Sequence, residues 1–243
     1  MSAVSASAAE DACIQPCSTC TARQISVCNA LPHRELRRLA DCLDVRDFAP
    51  GATLASEDEP ADALFNITDG VVKLYKLLPD GRRQIVGFLF RGDFLGLAVG
   101  ETYGFGAEAV TAVTACRFPR KAFRTLMHDS PELESELLSR ASSELRAAQD
   151  QMLLLGRKTA TERVASFLAD LVARSERAGG EAGRTVVPMT RADMADYLGL
   201  TTETVSRAMT ALKTDQIIRL LPRGEVQVLR PERLRALAGR IEA

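Results

Sequence analysis

The spacing of apolar and polar residues divides the chain into stretches with different periods. Between about residues 45 and 119, β-rich runs such as ALFNIT, VVKLYKLL, QIVGFLF and AVTAVTACRF are separated by the turn sequences PG, DG, PDG and RGD. Many short strands at this spacing predict a small sandwich or barrel. Before them, apolar residues at 36, 39, 40 and 43 share one face of a short predicted helix that begins near His33.

A long helical pattern begins at Pro131. Its apolar residues recur in alternating steps of three and four, which is the seam of a coiled coil. The seam residues are Leu138, Ala141, Leu145, Ala148, Met152 and Leu155. Leu153 and Leu154 lie on other faces, which indicates that part of the helix packs on its own domain. We expect the seam to pair two subunits, and a second amphipathic helix to follow over 159–175.

The stretch RADMADYLGLTTETVSRAMT, residues 191–210, has the spacing of a helix-turn-helix motif. At Ala195 a small side chain lets two helices cross closely, and Gly199 can take the positive φ of the turn. Val205 is the β-branched residue that anchors the second helix. These three positions and the apolar residues between them predict two helices joined by a tight turn.

Capping residues and a hairpin pattern surround this motif. Thr190 with Asp193 resembles a capping box at the first helix, and Thr201 can cap the second. The following IIRLLPRGEVQVLR predicts a strand, a turn and a strand, which completes a winged helix. From Arg184 onward, ten basic and seven acidic side chains leave a net charge of +3, which suits contact with phosphates.

The second helix of such a motif places its N-terminal part in the major groove of DNA. Because Val205 must point inward, the outward face is formed by Thr202, Glu203, Ser206 and Arg207. Glu can accept from cytosine, Arg can donate two bonds to guanine, and hydroxyls can meet either kind of base edge. The simpler alternative is a surface ion pair between Glu203 and Arg207. Within a helix-turn-helix, we favour base reading.

The composition of the chain limits its expected cellular compartment and the kinds of activity it can have. The 243 residues are 46% hydrophobic and 26% charged, with a net charge of −1 and no apolar run long enough to span a bilayer. The N-terminus has no basic residue before an apolar run, so we expect no signal peptide and a cytoplasmic protein with reduced thiols. The two histidines, His33 and His128, are far apart and accompany no nucleophile motif, so we expect no enzyme.

Four of the six cysteines lie in CIQPCSTCTARQISVC, residues 13–28. In a reducing compartment such a group indicates metal or redox chemistry rather than disulfides. The spacing from Cys13 to Cys20 also occurs in radical-SAM enzymes, but these need a long α/β barrel. Zinc accepts four thiolates, but zinc loops usually present two close Cys pairs, and Cys28 has no near partner. Taken alone, Cys42 and Cys116 would be core residues of a helix and a strand.

From about residue 13 to its end, the chain resembles the CRP/FNR family of bacterial transcription regulators, and within it the FNR branch. The resemblance rests on ETVSR at 203–207, on LLL followed by basic RK and TERVASFL, and on N-terminal cysteines joined by a later one in VTACRFP. It implies an α+β fold with a cupin-like β-roll sensor domain, a dimerisation helix and a winged helix-turn-helix. The expected bounds are a flexible cysteine-rich segment 1–29, a sensor domain 30–130, a dimerisation helix 131–158 and a DNA-binding domain 159–243.

The resemblance also implies a [4Fe–4S] cluster held by Cys17, Cys20, Cys28 and Cys116. Cys13 could replace Cys17 as a ligand, but we favour Cys17 and interpret Cys13 as a bystander. The implied function is an oxygen-responsive regulator, mainly an activator of anaerobic or microaerobic genes. It would bind a palindromic double-stranded operator of the TTGAT type as a homodimer and would contact RNA polymerase. The alternative is a regulator of the same fold that senses thiol oxidation or nitric oxide without a cluster.

Two features depart from other members of the family. After Gly96, the stretch LAVGETYGFGAEAVTA contains no Arg, so the phosphate-binding cassette of the cyclic-nucleotide branch is missing and we expect no cAMP. Ala148 lies on the seam where some FNR members have an Asp, whose like-charge repulsion keeps cluster-free subunits apart. Dimerisation is therefore expected to depend less on the cluster here.

Overall fold

The computed structural model describes residues 16–96 and 100–239. They form two compact units. The first comprises residues up to Lys76 together with Val86–Leu145, and the second comprises Leu77–Ile85 together with the residues from Arg146 onward. Cys13 and residues 97–99, where the missing phosphate cassette would begin, lie outside the described residues.

The first unit begins with the segment that contains three of the cysteines, residues 16–31, which we call the cysteine arm. The sequence predicted a loop here, and the structure has three short 3₁₀ helices: Cys17–Thr19, Arg23–Ile25 and Val27–Ala30. The predicted short helix follows as α1, His33–Ala40, with Leu36 and Leu39 fully buried.

Eight strands form two antiparallel four-stranded sheets, which confirms the predicted small β-domain. The strands are β1 (Asp44–Phe48), β2 (Thr53–Ala55), β3 (Ala63–Asp69), β4 (Val72–Leu77), β5 (Arg83–Leu89), β6 (Phe94–Leu95), β7 (Gly106–Ala109) and β8 (Val113–Pro119). Their order is β1-β8-β3-β6 in one sheet and β2-β7-β4-β5 in the other. The run AVTAVTACRF is therefore not one strand, because β7 and β8 lie in different sheets.

The central strands β3 and β8 are apolar on both faces. Phe65 and Ile67 belong to the core between the sheets, whereas Leu64 and Phe118 belong to a second core on the outer face. Successive residues of a strand point to opposite sides, so this continuous apolar pattern requires a cover on each face.

Three helices and the cysteine arm cover the outer face. Besides α1, the helices are α2, Arg120–Asp129, which the sequence analysis missed, and α3, Pro131–Arg157, which it predicted. Phe94, Phe118 and Phe123 meet there with ring centroids 5.2 to 6.4 Å apart. Leu133, near the start of α3, is fully buried in the same core. A side chain of this size contributes about 1.5–3 kcal/mol when fully buried.

The second unit contains the predicted winged helix. Its elements after α3 are α4 (Ala160–Arg177), β9 (Arg184–Val186), α5 (Arg191–Leu198), α6 (Thr202–Thr214), β10 (Ile218–Leu220), β11 (Glu225–Val228) and α7 (Pro231–Leu237). The predicted hairpin is β10 and β11, joined through Pro222–Gly224. β9, which the sequence analysis did not predict, adds a third strand in the order β10-β11-β9. No helix within the described ranges is long and apolar enough to cross a membrane.

Candidate functional site

The turn between α5 and α6 has the geometry that its residue types predicted. At the start of α5, Thr190 Oγ1 accepts from the Asp193 backbone N–H at 3.0 Å, and the Asp193 carboxylate accepts from the Thr190 N–H at 3.1 Å. Gly199 ends α5 with φ 61° and ψ 44°, a left-handed conformation that favours glycine. Thr201 Oγ1 accepts from the Thr204 N–H at 3.2 Å and caps α6. Both caps and the turn are therefore confirmed.

Helix α6 separates a buried face from an exposed polar face. The buried residues are Val205, Ala208, Met209 and Leu212. The four residues predicted to read bases, Thr202, Glu203, Ser206 and Arg207, are all exposed. The polar face therefore stands clear of the protein core, as contact with a DNA groove requires.

The polar groups of this face bond locally. Arg207 Nη2 donates to Thr204 Oγ1 at 3.2 Å. Hydrogen bonds from its own backbone N–H and from the Thr201 hydroxyl hold the pKa of Glu203 below its usual value, and the charge of Arg207 also contributes to the lowered pKa. Glu203 is therefore a charged acceptor at neutral pH, and both side chains have room to turn toward base edges.

Arg163 on α4 holds this motif against the end of α3, a role that the sequence analysis missed. Its guanidinium donates to the carbonyls of Leu198 at 2.9 Å and Gly199 at 3.3 Å, at the end of α5. It also donates to the carbonyls of Leu155 at 2.8 Å and Lys158 at 3.0 Å, at the end of α3. The last carbonyls of a helix have no partner within it, so one side chain satisfies two helix ends.

The structure brings together the four cysteines predicted as ligands. Cys17, Cys28 and Cys116 are 6–7% exposed and belong to the core on the outer face of the sheet, and Cys20 is half-buried beside them. All four are free thiols. Cys42 is half-buried at the edge of this core, where its Sγ donates to the Leu39 carbonyl at 3.3 Å.

The pKa shifts of these cysteines show that their sulfurs lie close to one another. Burial, with added contributions from the sulfurs of Cys20, Cys28 and Cys17, raises the pKa of Cys116 to about 12. Burial likewise raises the pKa of Cys17 to about 11, with contributions from Cys28 and Cys20. Burial also raises the pKa of Cys28, against a hydrogen bond from Ser26 that lowers it. Without a bound cation, these three groups are therefore neutral thiols at physiological pH.

The described cysteines do not form a site for a single metal ion. In residues 16–96 and 100–239, no three His, Cys, Asp or Glu side chains are grouped so that they could hold one metal ion. A four-iron cubane binds each thiolate through a different iron, so its ligands stand further apart than those of zinc. The sulfurs of Cys17, Cys20, Cys28 and Cys116 lie within electrostatic reach of one another.

Arg140 of α3 fastens the cysteine arm. Its Nη2 donates to the Ile25 carbonyl at 3.0 Å, its Nη1 donates to the Gly92 carbonyl at 3.1 Å, and its Nε donates to Glu136 at 2.7 Å. Gly92, in the turn before β6, has φ +92°, and a Cβ there would lie 2.7 Å from Ile25 Cγ1. The arm therefore approaches this turn too closely for any residue but glycine.

The predicted seam of α3 is an exposed apolar stripe. Leu138, Leu145 and Met152 are 69%, 60% and 66% exposed, and Ala141 and Ala148 are also exposed. Leu155, the last predicted seam residue, is half-buried, and its side chain lies near the turn at Gly199. The helix therefore presents five of its six seam positions to solvent in a single chain.

Comparison with known proteins agrees with this architecture. Residues 45–130 match the model of a cyclic nucleotide-binding domain, and residues 162–237 match that of a Crp-like helix-turn-helix domain. The chain is similar to the transcriptional activatory protein AadR of Rhodopseudomonas palustris, with 46% identity over 91% of this chain and 93% of that protein. It is also similar to the nitrogen fixation regulation protein FixK of Bradyrhizobium diazoefficiens, with 42% identity over 91% and 93%.

A solved structure supports the same conclusion. FixK2 from Bradyrhizobium japonicum superposes with a TM-score of 0.76 and 37% identity, covering 83% of this chain and 98% of that one. The fold and the exposed helix α6 define a DNA-binding transcription regulator, not an enzyme. The chain belongs to the CRP/FNR family.

We expect Arg163→Ala to lower the free energy of unfolding of the second unit by about 2–4 kcal/mol, because it leaves carbonyls at two helix ends without a charged donor. Differential scanning calorimetry of the full chain measures this. Arg177→Ala is the matched control, since Arg177 is exposed on the same helix and donates within that helix to the Ala173 carbonyl at 3.2 Å. Equal stability of the two variants would contradict the role of Arg163.

We expect Arg207→Ala to cost about 1–3 kcal/mol of binding free energy at the preferred operator and to relax specificity there. The reason is that a bidentate contact to guanine is lost. Titration of labelled duplexes with changed base pairs measures both effects. Lys213→Ala, an exposed change at the other end of α6, is the control for lost charge. Equal losses on operator and unrelated DNA for Arg207→Ala would argue against base reading.

Proposed function

We propose that this regulator responds to oxygen through a [4Fe–4S] cluster held by Cys17, Cys20, Cys28 and Cys116. The observation that supports the proposal most is the meeting of these four thiols at one site, with three of them buried and Cys20 half-buried. Three of them come from the arm and one from β8, far later in the chain.

The residues present fit the proposed group. Four thiolates are the usual ligand set of a cubane, and the surrounding core is apolar and largely closed to water. When bound, such a cluster supplies an oxygen-sensitive redox centre. Its positive irons would stabilise thiolates at positions where burial alone keeps the cysteines protonated.

Arg140 provides a physical link from the arm to the dimerisation helix. Because its guanidinium bonds to the Ile25 carbonyl and its backbone belongs to α3, a displaced arm would disturb the helix between Leu138 and Ala141. These are seam residues. The state of the cysteine site would therefore influence subunit pairing through one side chain.

The exposed stripe of α3 supports a homodimer paired along that helix. Exposed leucines at coiled-coil spacing are costly unless another helix covers them. Two paired chains would present two α6 helices to a palindromic site, for which the family resemblance implies TTGAT-type half-sites. As an activator of anaerobic or microaerobic genes, the dimer would contact RNA polymerase, and the exposed β-roll loops are candidates for that contact.

A cluster-free sensor of thiol oxidation or nitric oxide is less well supported. Reactive thiols are partly exposed and have a lowered pKa, because the thiolate is the nucleophile. Here burial raises the pKa of Cys17, Cys28 and Cys116. These thiols are therefore protonated and unreactive until a cation binds them.

We expect protein purified without oxygen to be coloured, to contain about four irons per chain, and to lose its colour in air. Single changes Cys17→Ser, Cys20→Ser, Cys28→Ser and Cys116→Ser should each abolish the visible absorbance and most of the iron. Cys42→Ser, half-buried at the edge of the same core, should retain both, and so should Cys13→Ser. Iron analysis and visible spectroscopy measure the outcome.

A colourless, iron-free dimer that binds its operator would overturn the cluster. Zinc in place of iron under the same anaerobic preparation would overturn it as well. A normal cluster in Cys116→Ser would remove the distant ligand from the proposed set.

We expect Ala148→Asp to weaken dimerisation of the cluster-free protein at least about tenfold, since it would bring two like charges together across the seam. Sedimentation velocity measures the monomer–dimer equilibrium. Ser143→Asp, an exposed change on the opposite side of α3, adds the same charge off the seam and should have little effect. An unchanged equilibrium in Ala148→Asp would contradict the pairing of subunits along this stripe.

A further inference from the structure

Asn66 of β3 lies directly beside Cys116. The two are Cα partners in the antiparallel pairing of β3 with β8, and Asn66 also pairs with Phe94 of β6. Directly opposed residues in such a pair place their side chains on the same face of the sheet. The next pair on that face is Leu64 with Phe118, two residues along each strand. Asn66 therefore belongs to the wall of the cysteine site.

Asn66 is an unusual residue for this place. It is 1% exposed, and among the described residues nothing hydrogen-bonds to its side-chain Oδ1. Asparagine is a poor strand former, and a buried amide without a partner is destabilising. Its position in an apolar wall therefore has no explanation in the packing of the strand.

We propose that Asn66 is a positioning residue of the cysteine site, which donates its side-chain amide to the ligating sulfur of Cys116. The proposal rests on the proposed function. A half-turn about the last side-chain bond exchanges the amide oxygen and nitrogen, so either group can face the neighbouring strand. A thiolate is a far better acceptor than a thiol, so this bond gains strength only when Cys116 is a ligand.

A hydrogen bond from Asn66 to this sulfur would control how readily the cluster is oxidised. Hydrogen bonds to sulfur withdraw electron density and raise the reduction potential of an iron–sulfur centre. A donor on Cys116 would therefore slow oxidative loss of the cluster. It would also hold the ligand from β8 in place while the arm supplies the others.

The test compares Asn66→Val and Asn66→Thr in the full-length protein with the wild type. Val and Thr have the same shape and differ by one hydroxyl donor, so packing changes are matched. After anaerobic reconstitution, we expect the Val variant to bleach in air about tenfold faster than the wild type and to have a lower midpoint potential. We expect Thr to restore most of both properties.

The melting temperature of the iron-free protein distinguishes a positioning role of Asn66 from a purely structural one. In the iron-free protein, Asn66→Val should unfold at the same or a higher temperature than the wild type, because it removes an unsatisfied buried amide. Equal bleaching rates for the wild type and Val would overturn the proposal. Equally fast bleaching of Val and Thr with a lowered iron-free melting temperature would assign Asn66 a structural role instead. A wild type that takes up no iron would instead defeat the proposed function itself.

Discussion

The apolar outer face of β3 and β8 is the constraint on which the first unit depends. Because both strands alternate between two buried faces, the sheet cannot be stable with one side in water. The cover is assembled from the cysteine arm, α1, α2 and the first turns of α3. The arm is therefore part of a core, and its displacement would expose apolar surface that α3 also covers.

Cysteine suits such a cover because it has two chemical characters. As a thiol it behaves as a small hydrophobic residue, and Cys17, Cys28 and Cys116 pack beside phenylalanine and leucine at little cost. As a thiolate it is a charge that such surroundings disfavour, which the raised pKa values express. The same three side chains can therefore stabilise the fold and form a site whose charged form needs a cation.

Helix ends impose a second constraint, in the DNA-binding unit. The terminal carbonyls of α3 and α5 meet near the helix-turn-helix turn, and Arg163 supplies donors to both. Gly199 is held at the same place, where an added Cβ would lie 3.2 Å from Leu155 and 3.4 Å from Arg163. The orientation of α6 toward DNA thus depends on a few hydrogen bonds that lie away from the reading face itself.

Local chemistry explains what the sequence determined by itself. The capping pairs, the left-handed glycine at 199, the heptad spacing of α3 and the wing hairpin depend on neighbours within a few residues, so their patterns predicted them. The division of AVTAVTACRF between two sheets and the strand β9 were missed, because strand pairing distant in the chain outweighs local propensity there. The helix α2 was missed as well, and its Phe123 and Leu126 are buried.

The cysteine site also has features that the sequence predicted and features that only the tertiary structure decided. Residue types and a family resemblance indicated four ligands, but only the tertiary structure placed Cys116 beside the arm, through the pairing of β8 with β3. It also revealed the contacts of Arg140 and Arg163 and the burial of Asn66 beside Cys116, which no motif marks. The two arginines bond to backbone carbonyls of other elements, and such contacts exist only once the strands and helices have packed.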